Sequence, residues 1–134
     1  MTTPSLTSKE IRALTAGALA TTDFTSWTSE DVAALSATQL GVLSPEQIQS
    51  FQDTVFQNLS VAQIKALRSD QVSALETQDI AGLTTAQIAG LTSVQVASLT
   101  TDQVLALTSE DVQALSLVQI KGLRTDQVAA LETA

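Results

Sequence analysis

The chain has 134 residues, 44% of them hydrophobic but only 3% aromatic, and sets six basic residues against fourteen acidic ones for a net charge of −8. It contains no Cys, His or Tyr, which removes disulfides, thiolate- or imidazole-bound metals and every Cys- or His-based catalytic scheme. The acidic balance disfavours nucleic acid and anionic lipid, and no apolar run approaches the ~20 residues of a membrane span.

The first predicted element is a longer helix over residues 7–20. Thr7 and Glu10 have the spacing of a capping box, with Ile11, Leu14 and Leu19 turned inward. Such a helix suits the terminal cap of a repeat array. From Leu19 onward an apolar anchor returns at every eighth position, through Trp27, Leu35, Leu43, Phe51 and Leu59 to Leu131. Leu6 to Leu14 makes one more such unit, and the register then jumps by five residues to Leu19. A second anchor follows each first one by five residues: Phe24, Val32, Leu40, Ile48, Phe56, Ile64 and so on to Val128. The residue before it is Gln, Asp or Glu in every octad except at Val55. The consensus is Leu-Thr-Thr-x-Gln-Val-x-Ala.

A single long helix does not fit this period. At about 100° per residue, eight residues leave the apolar stripe drifting by about 80° per octad. Strands do not fit either, because anchor spacings of five and three put successive anchors on opposite faces. One short helix per octad satisfies both rows. In the octad opened by Leu99, Thr100 is the N-cap, Gln103 at N3 completes a capping box, and Leu99 and Val104 occupy the two staple positions. Leu107 closes this helix and opens the next. On this reading Thr100→Ala costs about 0.5–2 kcal/mol and Gln103→Ala, losing only the reciprocal bond, costs less. Pro45 falls at N1, where proline is tolerated. Ala, Gly or Ser precedes most closing leucines, as at Ala74, Gly90 and Gly122, and permits close approach to a neighbouring turn of chain.

Across 45–58, Ile48, Phe51, Val55, Phe56 and Leu59 follow the pattern of one continuous amphipathic helix, which is the expectation there. Phe24, Trp27, Phe51 and Phe56 all precede residue 60 and predict a thicker core in the first part. Residues 59–134 form the regular array. Within it, 115–134 repeats 59–78 at a shift of 56 residues, as if seven octads were duplicated and closed a whole number of superhelical turns. The octads per turn and the handedness are not set by the pattern. The expected fold is therefore an all-α solenoid of very short capped helices, one per octad, with longer helices near the N-terminus. Residues 1–58 make a capping, irregular part and 59–134 the regular solenoid.

Candidate sites are sparse. Thr84-Thr85 and Thr100-Thr101 read as caps rather than nucleophiles, since no His is present to activate a hydroxyl. Glu30-Asp31 and Glu110-Asp111 lack the layout of a calcium loop and sit where carboxylates compensate a helix dipole. Lys65-Arg68 and Lys121-Arg124 read as surface groups, the arginines pairing with Asp70 and Asp126. No catalytic, cofactor or metal residue is assigned. Val94, Leu105, Leu117 and Val118 are apolar where the consensus is polar or small, and are the candidate partner-binding residues.

The run Leu-Thr-Thr-x-Gln-Val/Ile-x-x-Leu, as in residues 83–91 and 99–107, resembles the octad arrays of very large bacterial proteins, many of them secreted or surface-associated. The resemblance covers the chain from Leu19 onward, with 45–58 departing from it. It implies an extended structural or adhesive segment, extracellular or at the cell surface, and transfers no catalytic residue. The functional expectation is a non-enzymatic spacer or scaffold. The alternative is an α-solenoid protein-binding module with a protein partner or self-association, and neither involves nucleic acid or membrane insertion.

Overall fold

A computed structural model describes residues 6–51 and 55–132. Helices α1 (Ser8–Arg12), α2 (Ala16–Ala20), α3 (Ser29–Ala33), α4 (Ala37–Gly41) and α5 (Pro45–Gln49) precede a 3-10 turn, Phe56–Asn58. Helices α6 (Val61–Lys65), α7 (Ser69–Ala74), α8 (Thr77–Gly82), α9 (Thr85–Ala89) and α10 (Ser93–Ser98) come next, followed by α11 (Thr101–Leu105), α12 (Ser109–Ala114), α13 (Leu117–Lys121) and α14 (Thr125–Glu132). No strand occurs among the described residues, and the fold is an all-α solenoid of short helices at octad spacing.

The caps form as the spacing requires. Thr100 Oγ1 accepts from the Gln103 N–H at 3.1 Å, and Gln103 Oε1 accepts from the Thr100 N–H at 2.9 Å. The same reciprocal pair opens α4, α5, α6, α9, α10 and α13. Pro45 occupies the first turn of α5. In α1 and from α3 to α13 the chain leaves the helix at the closing anchor, whose N–H bonds back to the second anchor's carbonyl, as in Leu107 to Val104 at 3.1 Å.

Helices this short have little stability of their own. They are held by stacking: α7 packs on α10 and α10 on α13, α8 on α11 and α11 on α14, and α6 on α9 and α9 on α12. Partners are three octads apart, whereas the side-chain bonds described below reach 28 to 31 residues back. One turn of the solenoid therefore holds about three and a half octads. The 56-residue period of the sequence is two such turns. The first and second anchors fill a continuous core from Ile11 to Leu115. Close approach between turns uses the small residues: a Cβ on Gly122 would stand 3.1 Å from the Ser93 carbonyl, and one on Gly90 would meet Val61 Cγ1.

Two expectations about longer helices are corrected. Residues 7–20 form two helices, because Thr15 Oγ1 accepts from the Ala18 N–H at 3.2 Å and starts α2 afresh. Leu14 and Leu19 thus stand at N′ and N4, so Leu19 is a second anchor and not a first. The register break falls later, over 21–28, where no helix forms. There Asp23 Oδ1 accepts from the Thr25 N–H and hydroxyl, and the turn sets Phe24 against Trp27 with ring centroids 4.7 Å apart. The continuous helix expected over 45–58 is also absent: α5 stops at Gln49 with Ser50 as its C-cap. Phe51 acts as an ordinary closing anchor and Phe56 as a second anchor. Their rings lie 5.8 Å apart, and Phe51 meets Phe24 at 5.3 Å. Burying both rings in one cluster outweighs continuing the helix. Residues 52–54 of that span lie outside the described residues. All four aromatics are buried, as expected.

Candidate functional site

The most regular polar feature is the N3 glutamine. Its side-chain oxygen is spent on the capping box, which leaves the NH2 group. In Gln103, Nε2 donates to Leu75 O at 2.6 Å and Val72 O at 3.0 Å, the last carbonyls of α7. Gln95 likewise reaches Leu67 and Ile64, Gln71 reaches Leu43 and Leu40, and Gln127 reaches Leu99 and Val96. A helix leaves its first N–H groups and last C=O groups without intrahelical partners. A primary amide both accepts and donates, so one side chain satisfies the start of its own helix and the end of a helix one turn earlier. The result is a ladder of amides between turns, interrupted at the octads of Val55, Asp79 and Asp111, with Gln71, Gln87, Gln95, Gln103 and Gln127 all buried. The expectation that Gln103 carries only the reciprocal cap bond is therefore corrected: it carries the turn-to-turn contact as well.

Where the N3 residue is Asp, the cap is kept and the donor is lost. Asp31, Asp79 and Asp111 accept from the N–H of Thr28, Glu76 and Thr108 at 2.9, 3.0 and 3.0 Å. A carboxylate has no N–H to pass to the turn below. This also fixes the role of the acidic pairs at 30–31 and 110–111, whose second members are capping groups. Thr84 and Thr100 are caps too. Among the described residues no group of three or more His, Cys, Asp or Glu is placed to hold a metal ion.

The basic residues do more than pair on the surface. Arg68 meets Asp70 at 3.1 Å and Arg124 meets Asp126 at 3.4 Å, both exposed. Each arginine also donates to a closing carbonyl of the previous turn, Arg68 to Leu43 O at 3.1 Å and Arg124 to Leu99 O at 3.0 Å. They stand at N-cap positions and replace the lost hydroxyl with a second inter-turn bond. Near the N-terminus, hydrogen bonds from the Thr7 N–H and hydroxyl lower the Glu10 pKa, and those from Thr25 do the same for Asp23.

The four apolar candidates are exposed, Val94 at 65%, Leu117 and Val118 at 67% and Leu105 at 47%. Val94 lies in the first turn of α10 and Leu117 and Val118 in that of α13, and these helices pack together. Leu105 ends α11, which packs on α8 and α14, so it stands on a different column of the solenoid. Four further large apolar residues are exposed among the described residues, Leu6, Val42, Ile120 and Val128. Nothing in the sequence could mark Ile120 and Val128, because they occupy ordinary second-anchor positions. Among the described residues no helix is long and apolar enough to cross a membrane.

No curated protein and no solved structure matches the chain. Residues 72–109, which include the run Leu83-Thr84-Thr85-Ala86-Gln87, match the family model of the ALTTAQ repeat, and this segment is similar to that repeat.

Proposed function

We propose that the chain is a non-catalytic spacer or scaffold segment of a larger bacterial protein, extracellular or surface-associated. The observation that supports it best is the amide ladder. It commits the N3 glutamine of most octads to holding turn on turn, while the hydroxyls and the N3 carboxylates are committed to caps. The polar chemistry of the repeat is thus spent on propagating a shape. The division at residue 58, with an aromatic-anchored opening part before the regular array, belongs to the same reading. Small-angle scattering on the chain extended by one and two further copies of residues 79–134 tests it. A maximum dimension that rises in proportion to length is expected, and a compact particle would remove the spacer role.

A second reading, a protein-binding module, is favoured by the exposed patch of Val94, Leu117 and Val118 on two packed helices. Replacing Leu117 and Val118 with Ser should weaken self-association or partner capture. No change in either would leave this reading without support.

A further inference from the structure

The charges of the regular array are sorted onto two strips along its axis. All six basic residues of the chain fall in Lys-x-x-Arg pairs, Lys9-Arg12, Lys65-Arg68 and Lys121-Arg124, at intervals of 56 residues. The last two pairs are two turns apart and stand on one side of the solenoid, whereas Lys9 and Arg12 precede the register break. Arg68 and Arg124 are engaged by Asp70 and Asp126. Lys65 and Lys121 are exposed and make no ion pair among the described residues. The turn between them presents Val94, 65% exposed. Contacts tie the three together: the Lys65 carbonyl accepts from Gln95 Nε2 at 3.3 Å, and a Cβ on Gly122 would stand 3.1 Å from the Ser93 carbonyl.

The second strip is acidic: Glu46, Glu76, Asp102 and Glu132, all exposed and without an ion pair among the described residues. Glu46 and Asp102 are 56 residues apart, and so are Glu76 and Glu132. Gln49 Nε2 donates to Ala74 O at 3.0 Å, Gln103 Nε2 donates to Leu75 O at 2.6 Å, and α11 packs on α14, which carries the row from turn to turn. Glu76 follows Lys65 by 11 residues in a turn of 28, so the strips lie about two-fifths of a turn apart and do not neutralise each other within one molecule.

We infer that the two strips are complementary halves of a side-by-side contact between copies of this chain, in which Lys65, Val94 and Lys121 of one rod lie along Glu46, Glu76, Asp102 and Glu132 of a parallel neighbour. Both strips repeat at the same two-turn interval, so one register brings both lysines to carboxylates at once. Different faces meet, so the contact is heterologous and continues to a third rod and beyond. A single exposed ion pair contributes little, and the strength of the contact comes from its repetition along the rod. The inference rests on the scaffold reading and extends it from one rod to a bundle.

Sedimentation equilibrium of the full chain is the test. At about 0.1 M salt a Debye length of about 10 Å screens the overall charge of −8 between rods but not an ion pair in contact. Concentration-dependent association is expected there, weakened at least tenfold at about 1 M salt. One variant carries Lys65→Gln and Lys121→Gln, and a second carries Glu46→Gln, Glu76→Gln, Asp102→Asn and Glu132→Gln. Each should be monomeric alone. Their equimolar mixture should form a one-to-one dimer and nothing larger, because each then keeps only one of the two strips. The salt arm uses the unaltered chain, so a variant that failed to fold would not shield the inference. A parent chain that stays monomeric, association indifferent to salt, or folded variants whose mixture forms no dimer overturns it. A monomeric chain would leave the scattering test of the spacer standing, so the two ideas fail separately.

Discussion

Where an octad carries Gln at N3, that one side chain joins two helices end to start, and this changes what its loss should do. In Gln103→Ala the Thr100 N–H loses its acceptor and the buried Leu75 carbonyl loses its donor. Buried unsatisfied groups cost about 1–3 kcal/mol each, so a loss of about 2–3 kcal/mol in chemical unfolding is expected, more than the ~0.5–2 kcal/mol of Thr100→Ala. A Thr100→Ala chain as stable as the parent would contradict the cap itself. Gln103→Glu separates the two halves of the amide, since it keeps the acceptor but sets a negative charge against carbonyl oxygens. Its destabilisation relative to the parent should shrink on acidification toward pH ~4, as the carboxylic acid regains a donor. The acidic groups already present act in the other sense. Glu10 and Asp23 have pKa values lowered by hydrogen bonds from Thr7 and Thr25. A depressed folded-state pKa gives stability that is present above the unfolded value and lost as pH falls through the folded one. Acid unfolding monitored by Trp27 fluorescence should therefore lose a component below pH 4.5 and 3.8, the ordinary values of these two groups. That component should diminish in Glu10→Gln. The cap was legible in the sequence because it joins residues three apart. The inter-turn bond was not, because its partner lies 28 residues away and that distance is set by the pitch.

At the scale of the helix, the octad frame overrides local periodicity. Ile48 to Leu59 has the spacing of an amphipathic helix, and Thr7 to Ala20 has a good capping box and apolar positions to match, yet neither forms one helix. In both places a closing anchor is needed in the core, and the chain turns out of the helix to put it there. Leu14 and Leu19 are both leucines, so composition alone could not tell a first anchor from a second. The deciding signal was Thr15, which caps α2. The glycines allow a test of close packing that separates space from backbone freedom, since no described glycine has positive φ. Gly17 has open space around a would-be Cβ, with only Thr15 Oγ1 at 3.9 Å, whereas a Cβ on Gly90 would run into Val61. Gly17→Ala should then stabilise by about 0.5 kcal/mol through helix propensity. Gly90→Ala should destabilise by about 1–3 kcal/mol through overpacking. Melting the two variants side by side checks this, and equal shifts would mean that the turns are not in contact at Gly90.

For the whole molecule, cohesion runs along the axis in steps of about three and a half octads, so each turn is held by the turns on either side. The ends have one neighbour and the middle has two. Protection from amide exchange should therefore be highest in α7 to α10, which have turns both before and after them, and lowest in α13 and α14. This follows from stacking alone, since the central and terminal helices share nearly the same sequence: Gln71-Val72 recurs as Gln127-Val128. A break in the middle is then more damaging than the same break at the end. Gln71→Ala removes the donors to Leu40 O and Leu43 O, and with them a bond that ties the aromatic-anchored opening part to the regular octads. Gln127→Ala removes the matching donors to Val96 O and Leu99 O, but only at the last turn. Gln71→Ala should raise exchange on both sides of the break and broaden the thermal transition, as the two halves come to melt with less coupling. Gln127→Ala should affect 125–132 and little else. Arg68 complicates the comparison equally in both places, because it and Arg124 each give a second bond to the same carbonyl, Leu43 O or Leu99 O. Peptide-resolved exchange on the two variants gives the answer. If the two substitutions loosened the chain to the same extent and over the same residues, the molecule would be unfolding as one unit, and a stack of neighbour-coupled turns would be the wrong description of it.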